Sequence, residues 1–277
     1  MRTINLFMKQ HTKIPLEFDN ILPELLYDKT DDEIENTLIY HGNRRENLSD
    51  YFNITTTGEA SSGDECVIII NGNLDRVKYI GLRMTKGQII ANGNVDMHLG
   101  AQMQGGEIIV NGNAESYVGR EMQGGNIIVN GDVKEFCGAS YMGEWRGMNG
   151  GCILINGNAG RQLGECMSGG EIIVNGNCDM LPAIHMTEGY IQINGNISKW
   201  PAGQMKRGII VVNGDVGEIL EGFTKKEVIQ NPQINGEYHI GKYALYAGDE
   251  TVRGKAQLWI KQWKKREGSC IIKWLMK

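Results

Sequence analysis

The tripeptide Asn-Gly-(Asn/Asp) begins at Asn71, Asn92, Asn111, Asn130, Asn156, Asn175, Asn194 and Asn213, at spacings of 21, 19, 19, 26, 19, 19 and 19 residues. A methionine column keeps the same step: Met84, Met103, Met122, Met148, Met167, Met186 and Met205 are spaced 19, 19, 26, 19, 19 and 19. Two columns that share one seven-residue insertion mark an internal repeat. Such a chain is limited to folds in which equivalent units stack.

One unit, LGAQMQGGEIIVNGN from Leu99, returns as VGREMQGGNIIVNGD from Val118 and LGECMSGGEIIVNGN from Leu163. Each holds a single β-branched run, such as Ile108-Ile109-Val110, with glycine on both sides. Runs that short are strands, not helices. Asn-Gly is also the strongest short hairpin signal, but an antiparallel meander needs two comparable strands per unit. The repeat therefore predicts an all-β chain wound as a parallel β-helix of about 7 to 8 coils, strand over strand at about 4.8 Å, in a rod of about 40 Å. Glycine, at 38 of 277 residues, is roughly twice its ordinary usage of about 7%. Asn and Gly are predicted to turn the corners in left-handed conformations, while stacked Asn amides bond along the axis and Met, Ile and Val fill the interior.

Three segments follow. Residues 1–60 lack the repeat and read as a small α/β cap, with IPLEF from Ile14 strand-like and Thr30-Asp31-Asp32-Glu33 a capping box opening a helix to about Ile39. Residues 61–216 form the repeat. Residues 217–277 close the stack with degenerate strands at Tyr243-Ala244-Leu245-Tyr246 and Gln257-Leu258-Trp259-Ile260 and end in a basic tail.

A net charge of −5 argues against a dedicated nucleic-acid binder. The balance is uneven, since residues from Lys255 onward carry seven Lys and Arg against one Glu, leaving −11 before them. Trp259, Trp263 and Trp274, interleaved with Lys261, Lys264, Lys265, Arg266 and Lys273, suit an acidic surface of the body or of a partner. No run is apolar enough for a signal peptide or a membrane span, so a cytoplasmic protein is expected. The six cysteines form no C-x-x-C pair and read as free thiols. The five histidines fall in different units, and no phosphate loop of the G-x-x-x-x-G-K-(S/T) type occurs. Hence no catalytic, cofactor-binding or metal-binding residue is expected in this chain. The column Gln88, Glu107, Asn126, Glu171 and Gln192 lacks the aligned carboxylates of a polysaccharide-cleaving β-helix.

The insertion, CGASYMGEWRGMNGG from Cys137 to Gly151, departs from the repeat. Solenoid insertions commonly bulge at a binding face, and Trp, Tyr and Arg dominate interface hot spots. Tyr141, Glu144, Trp145 and Arg146 are the candidate partner contacts, joined by Trp259 and Trp263 in the tail. The competing reading folds Trp145 back onto its own coil.

The unit G-(x)-M-(x)-G-G-x-I-x-V-x-G-(N/D) resembles the GXGXG domain found in the large subunit of glutamate synthase and in the C subunit of formylmethanofuran dehydrogenase. The insertion Gly143-Glu-Trp-Arg-Gly-Met148, the opening IPLEF and Tyr40-His-Gly-Asn43 resemble the latter, over nearly the whole chain. That resemblance implies a right-handed coil and a cofactor-free scaffold in a cytoplasmic archaeal complex of methanogenesis, which reduces carbon dioxide with low-potential electrons and captures it as N-formylmethanofuran. It implies partner subunits with a molybdopterin or tungstopterin, a binuclear zinc amidohydrolase-like site and [4Fe-4S] clusters, and an electron-donating partner such as a heterodisulfide reductase complex. A stand-alone glutamate synthase domain and the C subunit of a bacterial formyltransferase/hydrolase complex are the alternatives.

Overall fold

A computed structural model describes residues 1–263. The regular structure of the described chain is mostly β-strand, with three short α-helices at Pro23–Leu26, Asp31–Glu35 and Leu48–Tyr51. Its centre is a thirteen-stranded sheet. Within it Cys66–Asn71, Gln88–Asn92, Glu107–Val110, Asn126–Val129, Asn149–Ile155, Ser168–Val174, Glu188–Ile193 and Ile209–Val212 pair in parallel, each with the next. The eight repeated Asn-Gly steps are therefore not hairpin turns, whereas Asn235-Gly236, outside the repeat, joins two antiparallel strands. A second column of parallel bridges runs Leu74, Val95, Ala114, Val133, Ala159, Cys178, Ile197 and Val216, so successive units touch on two sides.

Alternation sorts the side chains, since successive strand residues face opposite ways. Ile68 and Ile70 point inward, as do Ile108 with Val110 and Ile172 with Val174. The seven column methionines from Met84 to Met205 are fully buried beside them. The asparagines lie at the strand ends, where each Nδ2 donates to the Oδ1 of the preceding unit: Asn92 to Asn71 at 2.8 Å, Asn111 to Asn92 at 2.7 Å, Asn130 to Asn111 at 2.8 Å and Asn156 to Asn130 at 2.7 Å. Asn175, Asn194 and Asn213 continue the chain, and Tyr243 Oη closes it on Asn213 at 2.5 Å.

The left-handed backbone falls on repeat glycines, as expected, but not on the repeat asparagines. None of the eight asparagines has positive φ; the conformation recurs instead at alternate residues between the strands, as at His98, Gly100 and Gln102 or Tyr117, Gly119 and Glu121. The asparagine backbone still belongs to the parallel ladder, with Asn111 N donating to Ala91 O at 2.8 Å and Asn130 N to Val110 O at 2.9 Å, so the turn comes after it. Gly131, in the Asn-Gly step, has no positive φ and is required by close approach, because a Cβ there would sit 2.6 Å from the Gly112 carbonyl oxygen.

Both ends of the sheet are closed by the non-repeating segments. Arg2–Met8 pairs in parallel with Cys66–Asn71 and antiparallel with Phe52–Thr57. The Thr30/Glu33 capping box is present, but its helix stops at Glu35, because Leu38–His41 is drawn into a small sheet with Leu16–Glu17 and Arg44–Asn47. At the other end Ala256–Lys261 pairs in parallel with Ile209–Val212, followed outward by Lys242–Gly248 and Thr224–Gln230, both antiparallel.

Candidate functional site

Between Gly138 and Met148 the chain leaves the regular unit and returns. Met148 N bonds Gly138 O at 2.9 Å, so the excursion closes on itself. Gly147 N bonds Cys166 O at 2.8 Å. Everything between is turned outward: all six residues from Tyr141 to Arg146 are exposed, Trp145 at 74% and Tyr141 at 51%.

The exposed loop is nevertheless held. Tyr141 N donates to Glu121 Oε1 at 3.2 Å, and the Arg120 guanidinium lies 4.6 Å from the Tyr141 ring centre. Glu121 is itself fixed by Gln102 Nε2 at 2.6 Å, and Gln102 Oε1 accepts from Arg83 Nε at 2.8 Å. These anchors stand one unit apart along the axis, so the repeat positions the insertion. Glu144 N bonds Tyr141 O at 2.9 Å, and the Trp145 ring meets His185 edge-on at 5.7 Å. Trp145 thus touches its own chain at one edge while most of the indole remains open.

Two cavities flank the loop. One, of about 400 Å³, is lined by Arg120, Arg146, Glu144, Gln123 and Asn149. Among the described residues neither arginine pairs with a carboxylate. The other, of about 360 Å³, holds Tyr117, Phe136, Met142, Trp145, Glu165 and His185. Burial pushes the Glu165 carboxyl above its ordinary range. A charged half and an aromatic half therefore lie on either side of Tyr141, an arrangement suited to protein contacts.

The second cavity abuts a column that the sequence pattern did not single out. Tyr79, His98, Tyr117 and Phe136 recur every 19 residues with positive φ, and their rings stack at 5.0, 5.1 and 5.0 Å. The spacing was readable, but mixed identities hid it. His98 Nδ1 is buried without a partner, and burial, with Arg120 and Lys78 nearby, pushes the imidazole down to about 4.

The tail residues do not join the loop. Trp259 is only 6% exposed, packed with Tyr190, Val211, Ile234 and Tyr243, and Nε1 donates to Gln257 Oε1 at 3.0 Å. As a partner contact Trp259 is corrected: its ring covers the chain's own last strands. Trp263 is 59% exposed, with Nε1 on Asn213 O at 3.1 Å and Lys261 Nζ 4.8 Å from its ring. Trp274, Lys264, Lys265, Arg266 and Lys273 lie outside the described residues. Strand pairing also corrects the outer column: Tyr190, not Gln192, stands beside Glu171.

Among the described residues no three His, Cys, Asp or Glu side chains converge as a metal set. No helix there is long and apolar enough to cross a membrane.

The family described as GXGXG motif matches residues 71–271. The C subunit of the tungsten-containing formylmethanofuran dehydrogenase 2 of Methanothermobacter thermautotrophicus is 59% identical over 92% of this chain and 94% of that protein. The chain belongs to the family of formylmethanofuran dehydrogenase C subunits. The corresponding protein of Methanococcus maripaludis is 51% identical over 54% of this chain and 53% of its own length. Family membership is thus carried by nearly the whole chain as well as by the motif. Among solved structures, the formyltransferase/hydrolase complex of Methylorubrum extorquens, crystallised with methylofuran, contains a chain with TM-score 0.82 and 24% identity. It covers 94% of this chain and 100% of that chain, a likeness of fold.

Proposed function

We propose that this chain is the scaffold subunit of a formylmethanofuran dehydrogenase, the complex that reduces carbon dioxide and captures the formate as N-formylmethanofuran. The reading is supported by a relative of that name matched over nearly the whole chain. The observation that carries the scaffold role is a repeated ladder whose one insertion is anchored by Glu121 and Arg120 yet exposes Tyr141, Glu144, Trp145 and Arg146 between two cavities. A parallel ladder has little freedom to bend, because each unit is bonded on two sides to the next. Such a body suits holding two catalytic subunits at fixed separation, so that formate passes between them.

In this reading the ladder winds as a right-handed parallel β-helix, residues 1–60 and 217–277 serve as its caps, and the assembly works in the cytoplasm. Reduction would occur at a molybdopterin or tungstopterin, condensation at a binuclear zinc site and electron delivery through [4Fe-4S] clusters, all in partner subunits.

The test is anaerobic purification of the assembly through a tag on this chain, with metal analysis and mass spectrometry. Tungsten or molybdenum with zinc and iron is expected. Flavin with an amidotransferase would overturn the assignment. The Trp145→Ala, Arg146→Ala double variant is expected to lose partner subunits while its thermal unfolding stays within about 1 kcal/mol of wild type, as for exposed sites. Full retention of those subunits would remove the loop from the interface.

A further inference from the structure

The outward face of the ladder carries a second regular column. Ile69, Ile90, Ile109, Ile128, Leu154 and Ile173 stand in register on consecutive strands. None of the six is fully buried. Together they form an aliphatic stripe about 24 Å long, from five steps of about 4.8 Å.

The same column continues through Gln192, Val211, Trp259 and Leu245, and there the chain covers itself. Val211 is fully buried, and Ile234, from the hairpin strand Gln233–Ile234, packs over it together with Tyr190, Tyr243 and Trp259. Tyr190 Oη donates to Gln192 Oε1 at 2.8 Å where the cover begins. One face is thus sealed over its last strands and left half-buried over the six preceding ones.

The borders of the half-buried part define its complement. On one side runs the Asn ladder, its amides already bonded to one another. On the other stand Gln88, Glu107, Asn126, Cys152 and Glu171, a row with two carboxylates and no cation. Half-buried Ile and Leu side chains in a continuous row favour fuller burial against a second apolar surface.

We infer that the stripe from Ile69 to Ile173 is a docking face for another subunit of the assembly. That subunit presents aliphatic side chains along the stripe and Lys or Arg on the edge that meets Glu107 and Glu171. The inference rests on the assembly proposed above and adds a second contact surface to the insertion loop.

Cys152 reports on this face. It is half-buried, two residues from Leu154 on the same side of the strand, whereas Cys66, Cys137, Cys166 and Cys178 are buried. Alkylation of Cys152, followed by peptide mass mapping, is compared between the purified assembly and the free full-length chain. A partner seated on the stripe keeps solvent and reagent from its centre, so the reaction is expected to be at least about tenfold slower in the assembly. Equal rates would overturn the docking face. Protection already present in the free chain would also overturn it, assigning the face to residues 264–277 if truncation restores reactivity, or to a second copy if dilution does.

As a second variant, Ile109→Lys with Ile128→Lys leaves the inward residues untouched. It is expected to unfold cooperatively and to recover at least about tenfold less of the partner subunits. A folded variant with full recovery would defeat the proposal. If the wild-type chain brings down no other protein of the assembly, the assembly reading itself fails; if it does and Cys152 reacts equally in both states, only the stripe is wrong.

Discussion

Gly125 and Gly143 both occupy the left-handed region, at φ +84° and +89°, but their surroundings differ. A Cβ on Gly125 would lie 2.7 Å from the Gly106 carbonyl oxygen and 2.8 Å from Met103 Cε, while one on Gly143 would meet nothing within 4 Å. Gly125→Ala therefore combines a left-handed penalty of about 1 to 2 kcal/mol with backbone overlap, and we expect a loss of about 2 to 4 kcal/mol by urea unfolding. Gly143→Ala carries only the first part, about 1 to 2 kcal/mol. Equal losses would show that crowding inside the ladder is unimportant. At His98 the relevant quantity is a proton. Its folded value of about 4 lies below the ordinary 6.5, so between those pH values the unfolded chain binds more protons. Stability from this residue is complete above pH 6.5 and is lost as the pH falls toward 4. His98→Phe keeps a ring between Tyr79 and Tyr117 without the orphaned Nδ1. The variant is expected to show a smaller drop in unfolding midpoint between pH 7 and pH 4.5 than wild type; an identical drop would exclude His98 as its source.

Among the elements, the insertion is the one that the ladder does not need. Deleting residues 141–147 restores the common 19-residue spacing between Asn130 and Asn156, whose side chains already bond at 2.7 Å across the longer connection. Shortening an exposed loop changes closure entropy only slightly. The deletion is expected to shift stability by no more than about 2 kcal/mol while abolishing recovery of partner subunits, read by thermal unfolding and pull-down. Unfolding of the variant would mean that the loop holds its unit together. The loop was legible in the sequence as a break in two columns at once. Its anchoring was not, because Glu121 and Arg120 come from the preceding unit and look ordinary there.

For the whole molecule the ends of the repeated ladder are the points that need cover, since an uncovered edge strand pairs with other chains. Ending the chain after Val216 would bare the Ile209–Val212 edge together with Val211 and Tyr190. That truncation is expected to associate or aggregate in size-exclusion chromatography; a folded monomer would show that the C-terminal strands are dispensable. The sequence by itself determined the period, the strand in each unit, the inward Ile/Val and Met columns and the place of the insertion, because each depends on one residue type recurring at one spacing. Only the tertiary structure decided where the left-handed backbone falls, that Arg2–Met8 joins the ladder, that Tyr79, His98, Tyr117 and Phe136 stack, and that Trp259 is covered by Ile234 and Tyr243. The first and third follow the 19-residue period but at positions of mixed residue type, and the others come from contacts with segments outside the repeat, where burial and competing hydrogen bonds, rather than local spacing, select the outcome.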